Sequence, residues 1–134
     1  LAVRCVPWSE ETEAGELAQC DIGIMPLPAS AWAKGKCGLK LLQYLASGMP
    51  VVSSPDGGAE LIVEHGVTGY VAGSDVEWRV HLGSLLDNPE LRGLMGRVGR
   101  MRVERNFSLA TWAPRMADVI LDTIRGERSK ETEA

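Results

Sequence analysis

The sequence predicts an α/β fold, a doubly wound parallel sheet flanked by helices. Residues 22–27 and 50–54 are apolar runs of strand length without alternation, the pattern of strands covered on both faces. Helix-length amphipathic segments alternate with such runs, which implies right-handed crossovers between parallel strands. With 134 residues and 45% hydrophobic content, the chain has material for one domain and its core.

Taken in order, residues 1–6 are an apolar, partly β-branched run and read as a buried first strand. Ser9 caps a helix with Glu10 and Glu11 in its first turn, where the helix dipole favours carboxylates. Leu17 and Ala18 face inward on that helix, which ends near Cys20. IGIMPL, residues 22–27, is the next strand. The loop PLPASAWAKG follows, where Trp32 reads as a half-buried anchor or as a stacking face for a base or sugar.

A helix over 39–47, a strand over 50–54 and the turn Pro55-Asp56-Gly57-Gly58 come next. A short helix around 59–65 is stopped by Gly66 and leads to the strand VTGYVAG. Residues 78–86 and 89–104 read as amphipathic helices, with Pro89 suited to a first helical position. Ser108 caps a last helix through Ile124, and residues 126–134 are expected as a flexible polar tail after one domain over 1–125. The order is β-α-β-α-β-α-β followed by helices. Because the chain opens on Leu1 with a strand under way, it reads as part of a longer protein.

A formal charge of −4 and a pI near 5.2 argue against a nucleic-acid partner, which a basic face would attract. No run approaches the roughly 18 apolar residues of a membrane-spanning helix. Cys5, Cys20 and Cys37 are odd in number and lack metal-ligand spacing, which fits reduced thiols in a cytoplasmic protein. His65 and His81 read as surface residues and leave little scope for histidine catalysis or metal binding.

The most informative stretch is GKCGLKLLQYLASGMPVVSSPDGG, residues 35–58. A glycine-rich, basic turn there opens a helix whose first amides lack intrahelical acceptors. With the positive dipole end they suit an anion such as a diphosphate. Lys36, Lys40 and Gln43 stand at i, i+4 and i+7, on one face if the helix includes all three. In a doubly wound sheet, ligands sit beyond the carboxyl ends of the strands. The loop after 22–27 and the turn after 50–54 point to one crevice there. Leu41, Leu42 and Leu45 read as core, Cys37 as a small apolar filler, and Asp56, Gly57 and Gly58 as a turn whose amides could face the ligand.

QYLASGMPVVSSPDGGAELIVEHGVTGYV resembles the signature of retaining glycosyltransferases of the GT-B fold, family 4, the glycosyl transferases group 1. LLDNPELRGLMGRVGRMRVERNFSLATWA is similar to that family's closing helices, so the resemblance spans about residues 15–125. It implies the donor-binding, Rossmann-like C-terminal half of a GT-B enzyme whose N-terminal domain holds the acceptor. The family's paired glutamates fall on Gly35 and Gln43, so both acids are absent. Lysines gather there instead.

The implied function is retaining, metal-independent transfer of a sugar from a UDP- or GDP-type donor to a glycan, lipid or small-molecule acceptor. No cofactor is implied, because the nucleotide sugar is the substrate. The expected donor residues are Lys36 and Lys40 for phosphate charge, backbone amides of Gly38 and Leu39 for phosphate oxygens, Gln43 for ribose, and Gly35 in the turn. The cytoplasm is the expected location, with peripheral membrane association allowed for the full-length enzyme. The alternative is a non-catalytic nucleotide-binding or interaction module of the same fold.

Overall fold

The sheet of the computed structural model has three parallel strands in the order β1 (Gly23–Met25), β2 (Val51–Ser53), β3 (Gly69–Val71). Ile24 pairs with Val52 and Val52 with Tyr70. The structure describes residues 3–132, with side chains as far as Arg125. The helices are α1 (Glu10–Leu17), α2 (Ala31–Lys34), α3 (Leu39–Ala46), α4 (Ala59–Ile62), α5 (Asp75–Asp87), α6 (Pro89–Asn106) and α7 (Leu109–Thr132).

β2 is the central strand, and all three of its residues are buried. Successive side chains leave a strand on opposite faces, so Val51 and Val52 enter different cores. Val51 joins Leu41 and Leu45 of α3 and Ala59 and Ile62 of α4. Val52 joins Leu85 of α5 and Met95 of α6. Cover on both faces explains why this strand shows no polar alternation. The expected core leucines are in place, with Leu41 and Leu45 buried and Leu42 packed against them.

α3 ends where the sequence indicates. The Met49 amide donates to Tyr44 and the Gly48 amide to Leu45, and Gly48 takes φ 77°. This left-handed helix stop turns the chain directly into β2. α6 crosses that corner on small residues. A Cβ at Gly96 would overlap the Gly48 carbonyl oxygen, and one at Gly99 would stand 2.6 Å from Leu45 Cδ2.

Several expectations are corrected. Among the described residues, positions 3–6 form no strand; Val3 is 80% and Val6 45% exposed. An apolar run gains from a strand only where a neighbour supplies ladder bonds and a covering layer, and here it finds neither. Residues 1 and 2 of that expected strand lie outside the described residues. The sheet therefore reads β1-β2-β3 rather than four strands. The loop after β1 contains α2, capped by the Ser30 hydroxyl accepting from the Ala33 amide. Ala18 is exposed rather than inward, and α1 buries no residue. α4 stops at Ile62, three residues before His65.

α7 runs past Ile124 to Thr132, and residues 133 and 134 of the expected tail lie outside the described residues. No helix among the described residues is long and apolar enough to cross a membrane.

α5 begins at Asp75, three residues before the apolar pattern indicates, because a capping box starts it. The Glu77 amide donates to Ser74 Oγ at 3.3 Å, and Glu77 Oε2 accepts from the Gly73 and Ser74 amides at 2.7 and 3.1 Å. Those bonds, the Gly73 amide foremost, hold the Glu77 carboxyl below the usual glutamate range. Ser74→Ala removes one side of the box and is expected to cost about 1 kcal/mol in urea unfolding. Unchanged stability would show the cap to be idle.

Candidate functional site

Beyond the carboxyl end of β1 lies an open cavity of about 410 Å³. Met25 and Leu27 form its apolar side, and Gly35, Lys36, Cys37, Gly38, Leu39 and Lys40 form the other. Of the six residues predicted for the donor, five thus line one space, and Gln43 is the exception.

The two glycine turns meet at this cavity. Gly38 has φ 71°, and a Cβ there would stand 2.7 Å from the Gly57 carbonyl oxygen and 2.6 Å from Ile62 Cδ1. A Cβ on Gly58, at φ 76°, would stand 3.3 Å from the Cys37 carbonyl. Only glycine meets both demands, a left-handed backbone and a neighbouring main chain at contact distance. Gly57 in turn abuts Leu27, Met25 and the Cβ of Lys36. Gly57 and Gly58 therefore pack against residues that line the cavity, while residues 55–58 do not line it themselves.

α3 starts at Leu39 with Gly38 as its cap, and no side chain closes that end. The Leu41 and Leu42 amides both donate to the Gly38 carbonyl. Among the described residues, no acceptor meets the amides of Gly38, Leu39 and Lys40. They open the helix beside the two lysines that line the cavity, an arrangement that suits an anion.

Lys36 precedes the helix, so it does not share a helical face with Lys40 and Gln43. Its ammonium lies 3.7 Å from the Trp32 ring centroid, above the indole face. Trp32 is itself 69% exposed on α2, not a half-buried loop anchor. Cys37 is exposed at the cavity, not a buried filler.

Lys40 and Gln43 do share a face, and both turn to one carboxylate that the sequence did not single out. Lys40 Nζ donates to Glu13 Oε1 at 2.8 Å, and Gln43 Nε2 donates to Glu13 Oε2 at 3.1 Å. The Lys40 bond, with help from Trp8 and Gln43, holds the Glu13 carboxyl below the usual glutamate range. Gln43 Oε1 is left buried without a donor. Glu13 is 27 residues from Lys40, so no local spacing could have announced the contact.

His65 is exposed as expected, whereas His81 is half-buried and stacks on Tyr70 with ring centroids 4.2 Å apart. Burial, then the charge of His65, pushes the His81 pKa down. Neither histidine lines the cavity. No group of three metal-ligating side chains occurs among the described residues.

The family model described as "Glycosyl transferases group 1" matches residues 2–88. A GDP-mannose-dependent monoacylated alpha-(1-6)-phosphatidylinositol monomannoside mannosyltransferase of Corynebacterium glutamicum is 34% identical over 107 residues, covering 78% of this chain and 28% of the relative. A D-inositol 3-phosphate glycosyltransferase of Corynebacterium kroppenstedtii is 36% identical over 90 residues, 66% of this chain and 20% of the relative. The chain thus spans between 20% and 28% of the length of these curated relatives.

Among solved structures, sucrose-phosphate synthase from Thermosynechococcus elongatus superposes with a TM-score of 0.68 at 19% identity, over 83% of this chain and 27% of that one. Anabaena Alr3699/HepE in complex with UDP and glucose gives 0.64 at 22% identity, over 80% of this chain and 29% of that one. At these identities the likeness is one of fold, the Rossmann-like α/β architecture of GT-B enzymes.

Proposed function

The chain belongs to the glycosyl transferases group 1 family, and on that premise we propose that it forms the donor site of a glycosyltransferase that moves a sugar from a nucleoside diphosphate. The observation that carries this reading is one cavity lined by a glycine turn, three unpaired amides and two lysines, with a second glycine turn packed against that lining. UDP and GDP are the candidate carriers. HepE was solved with UDP, and the mannosyltransferase relative is named for GDP-mannose.

In this reading the amides of Gly38 and Leu39 hold phosphate oxygens, and the ammonium groups of Lys36 and Lys40 sit against phosphate charge. Breaking the sugar–phosphate bond leaves negative charge on the departing diphosphate. A fixed helix dipole and ammonium groups stabilise that charge without reorganising. We propose a retaining transfer that needs no metal, since these groups supply the positive charge. No side chain around the cavity acts as a general base in it.

Calorimetric titration of the protein with UDP, GDP and their glucose and mannose conjugates tests the proposal. Saturable binding of one diphosphate series is expected, with loss of donor when an acceptor is supplied. Binding without transfer to any acceptor would favour a nucleotide-binding module instead. Absence of binding would remove the site assignment.

A further inference from the structure

Resting on that donor-site reading, we infer that Glu13 and Trp8, which lie outside the glycine-rich motif, form the nucleoside end of the site. Glu13 would accept a ribose hydroxyl, and Trp8 would offer a face to the base.

A nucleoside diphosphate presents, end to end, an aromatic base, a sugar diol and two charged phosphates. The protein offers partners in the same sequence. Trp8 is 71% exposed, and its side chain helps hold the Glu13 carboxyl below the usual glutamate range. Glu13 bonds Lys40 at 2.8 Å, and Lys40 lines the cavity with Gly38 and Leu39. Carboxylate, ammonium and free amides thus neighbour one another in that order, with the exposed indole beside the carboxylate.

A second observation marks the middle of that series as incomplete. The Gln43 carboxamide spends its N–H on Glu13, and its Oε1 stays buried with no donor. A buried acceptor without a partner is costly, and a neighbour that can donate removes the cost. The side chains already bonded at this cluster, Lys40 and Gln43, direct their donors to Glu13. What is missing is a further donor, and a ribose diol that takes the place of the Gln43–Glu13 bond would supply one to each side chain. The Glu13 side chain is 23% exposed, so it is not sealed from solvent. Glu13 and Gln43 then hold the diol together, which differs from direct ribose contact by Gln43 alone.

The test compares UDP, 2′-deoxy-UDP and inorganic pyrophosphate by calorimetry, in the protein and in its Glu13→Ala and Glu13→Gln variants. The unmodified protein is expected to prefer UDP over 2′-deoxy-UDP by about tenfold, the value of one charge-assisted hydrogen bond. Glu13→Ala is expected to abolish that preference while pyrophosphate binds as well or better, because Lys40 is released. Glu13→Gln, which keeps the shape of the side chain and one acceptor, should retain part of the preference.

Persistence of the full preference in Glu13→Ala would overturn the inference. So would an equal loss of all three ligands, since that is what displacement of α1 alone would produce. Pyrophosphate binding without any gain for UDP would overturn this inference and leave the phosphate site standing. Failure of the unmodified protein to bind any of the three would overturn both.

Discussion

Lys36→Ala is expected to raise the dissociation constant for a nucleoside diphosphate by about 10- to 100-fold, and to do so more strongly than Lys40→Ala. An ammonium–phosphate hydrogen bond contributes about 1.5–3 kcal/mol, and each 1.4 kcal/mol or so is a factor of ten. The two lysines start from different states. Lys40 is already bonded to the Glu13 carboxylate and must leave it, or share it, to meet a phosphate. Among the described residues, the Lys36 ammonium meets only the Trp32 ring. At an exposed site that contact is worth about 0.5–1 kcal/mol, less than the bond a phosphate offers.

Titrations of both variants at one ionic strength decide the matter, since salt screens exposed charges. A larger loss for Lys40→Ala would mean that Glu13 does not compensate the Lys40 charge. No loss for either would mean that both lysines are merely solvated.

Gly96→Ala is expected to destabilise the protein by about 2–4 kcal/mol, at the upper end of overpacking effects. The sign is informative, because alanine is ordinarily better than glycine inside a helix by about 1 kcal/mol. Here the added methyl would overlap the Gly48 carbonyl oxygen and lie 2.8 Å from its carbon, and a main chain cannot rotate away as a side chain can. Gly83 in α5 is the control: apart from its own helix's backbone, no atom lies within 4 Å of its would-be Cβ, so Gly83→Ala should stabilise slightly. Denaturant unfolding of both variants gives the comparison. A stabilised Gly96→Ala would show that α3 and α6 are not held at contact distance.

What could be read from the sequence follows how local its cause is. Helix α3, its stop at Gly48 and strand β2 depend on neighbouring residues, and all three were legible. The run of residues 22–27 and the GYV segment were likewise legible as strands, because burial on both faces leaves a continuous apolar signature. Residues 1–6 carry the same signature and misled, since composition cannot reveal whether a partner strand stands alongside. The early start of α5 was present in the text as Ser74 and Glu77, three apart, but the apolar period begins later and drew the boundary inward.

At the site, the turn residues were legible and their neighbours were not. Gly35, Lys36, Gly38, Leu39 and Lys40 line the cavity because a single turn carries them there. Glu13 comes from another helix, and only the folded chain brings it to Lys40 and Gln43. Its place in the first turn of α1 is by itself a sufficient local reason for a carboxylate, which masks its contact with α3. The shared face of Lys36, Lys40 and Gln43 failed for a related reason, since the helix starts after Lys36.

The close seat of Gly48 on Gly96 also bears on how the protein can move. α3 presents free amides at its amino end, while its carboxyl end is stopped against the main chain of α6. A hydrogen-bonded helix of this length behaves as a stiff strut, and the turn that ends it is held against α6. Adjustment to different ligands must then fall to the turns at 35–38 and 55–58, whose excursions belong to the nanosecond-to-microsecond range of loops rather than to slower sliding of packed helices. The donor end would adapt by its rim, with the strut behind it standing still.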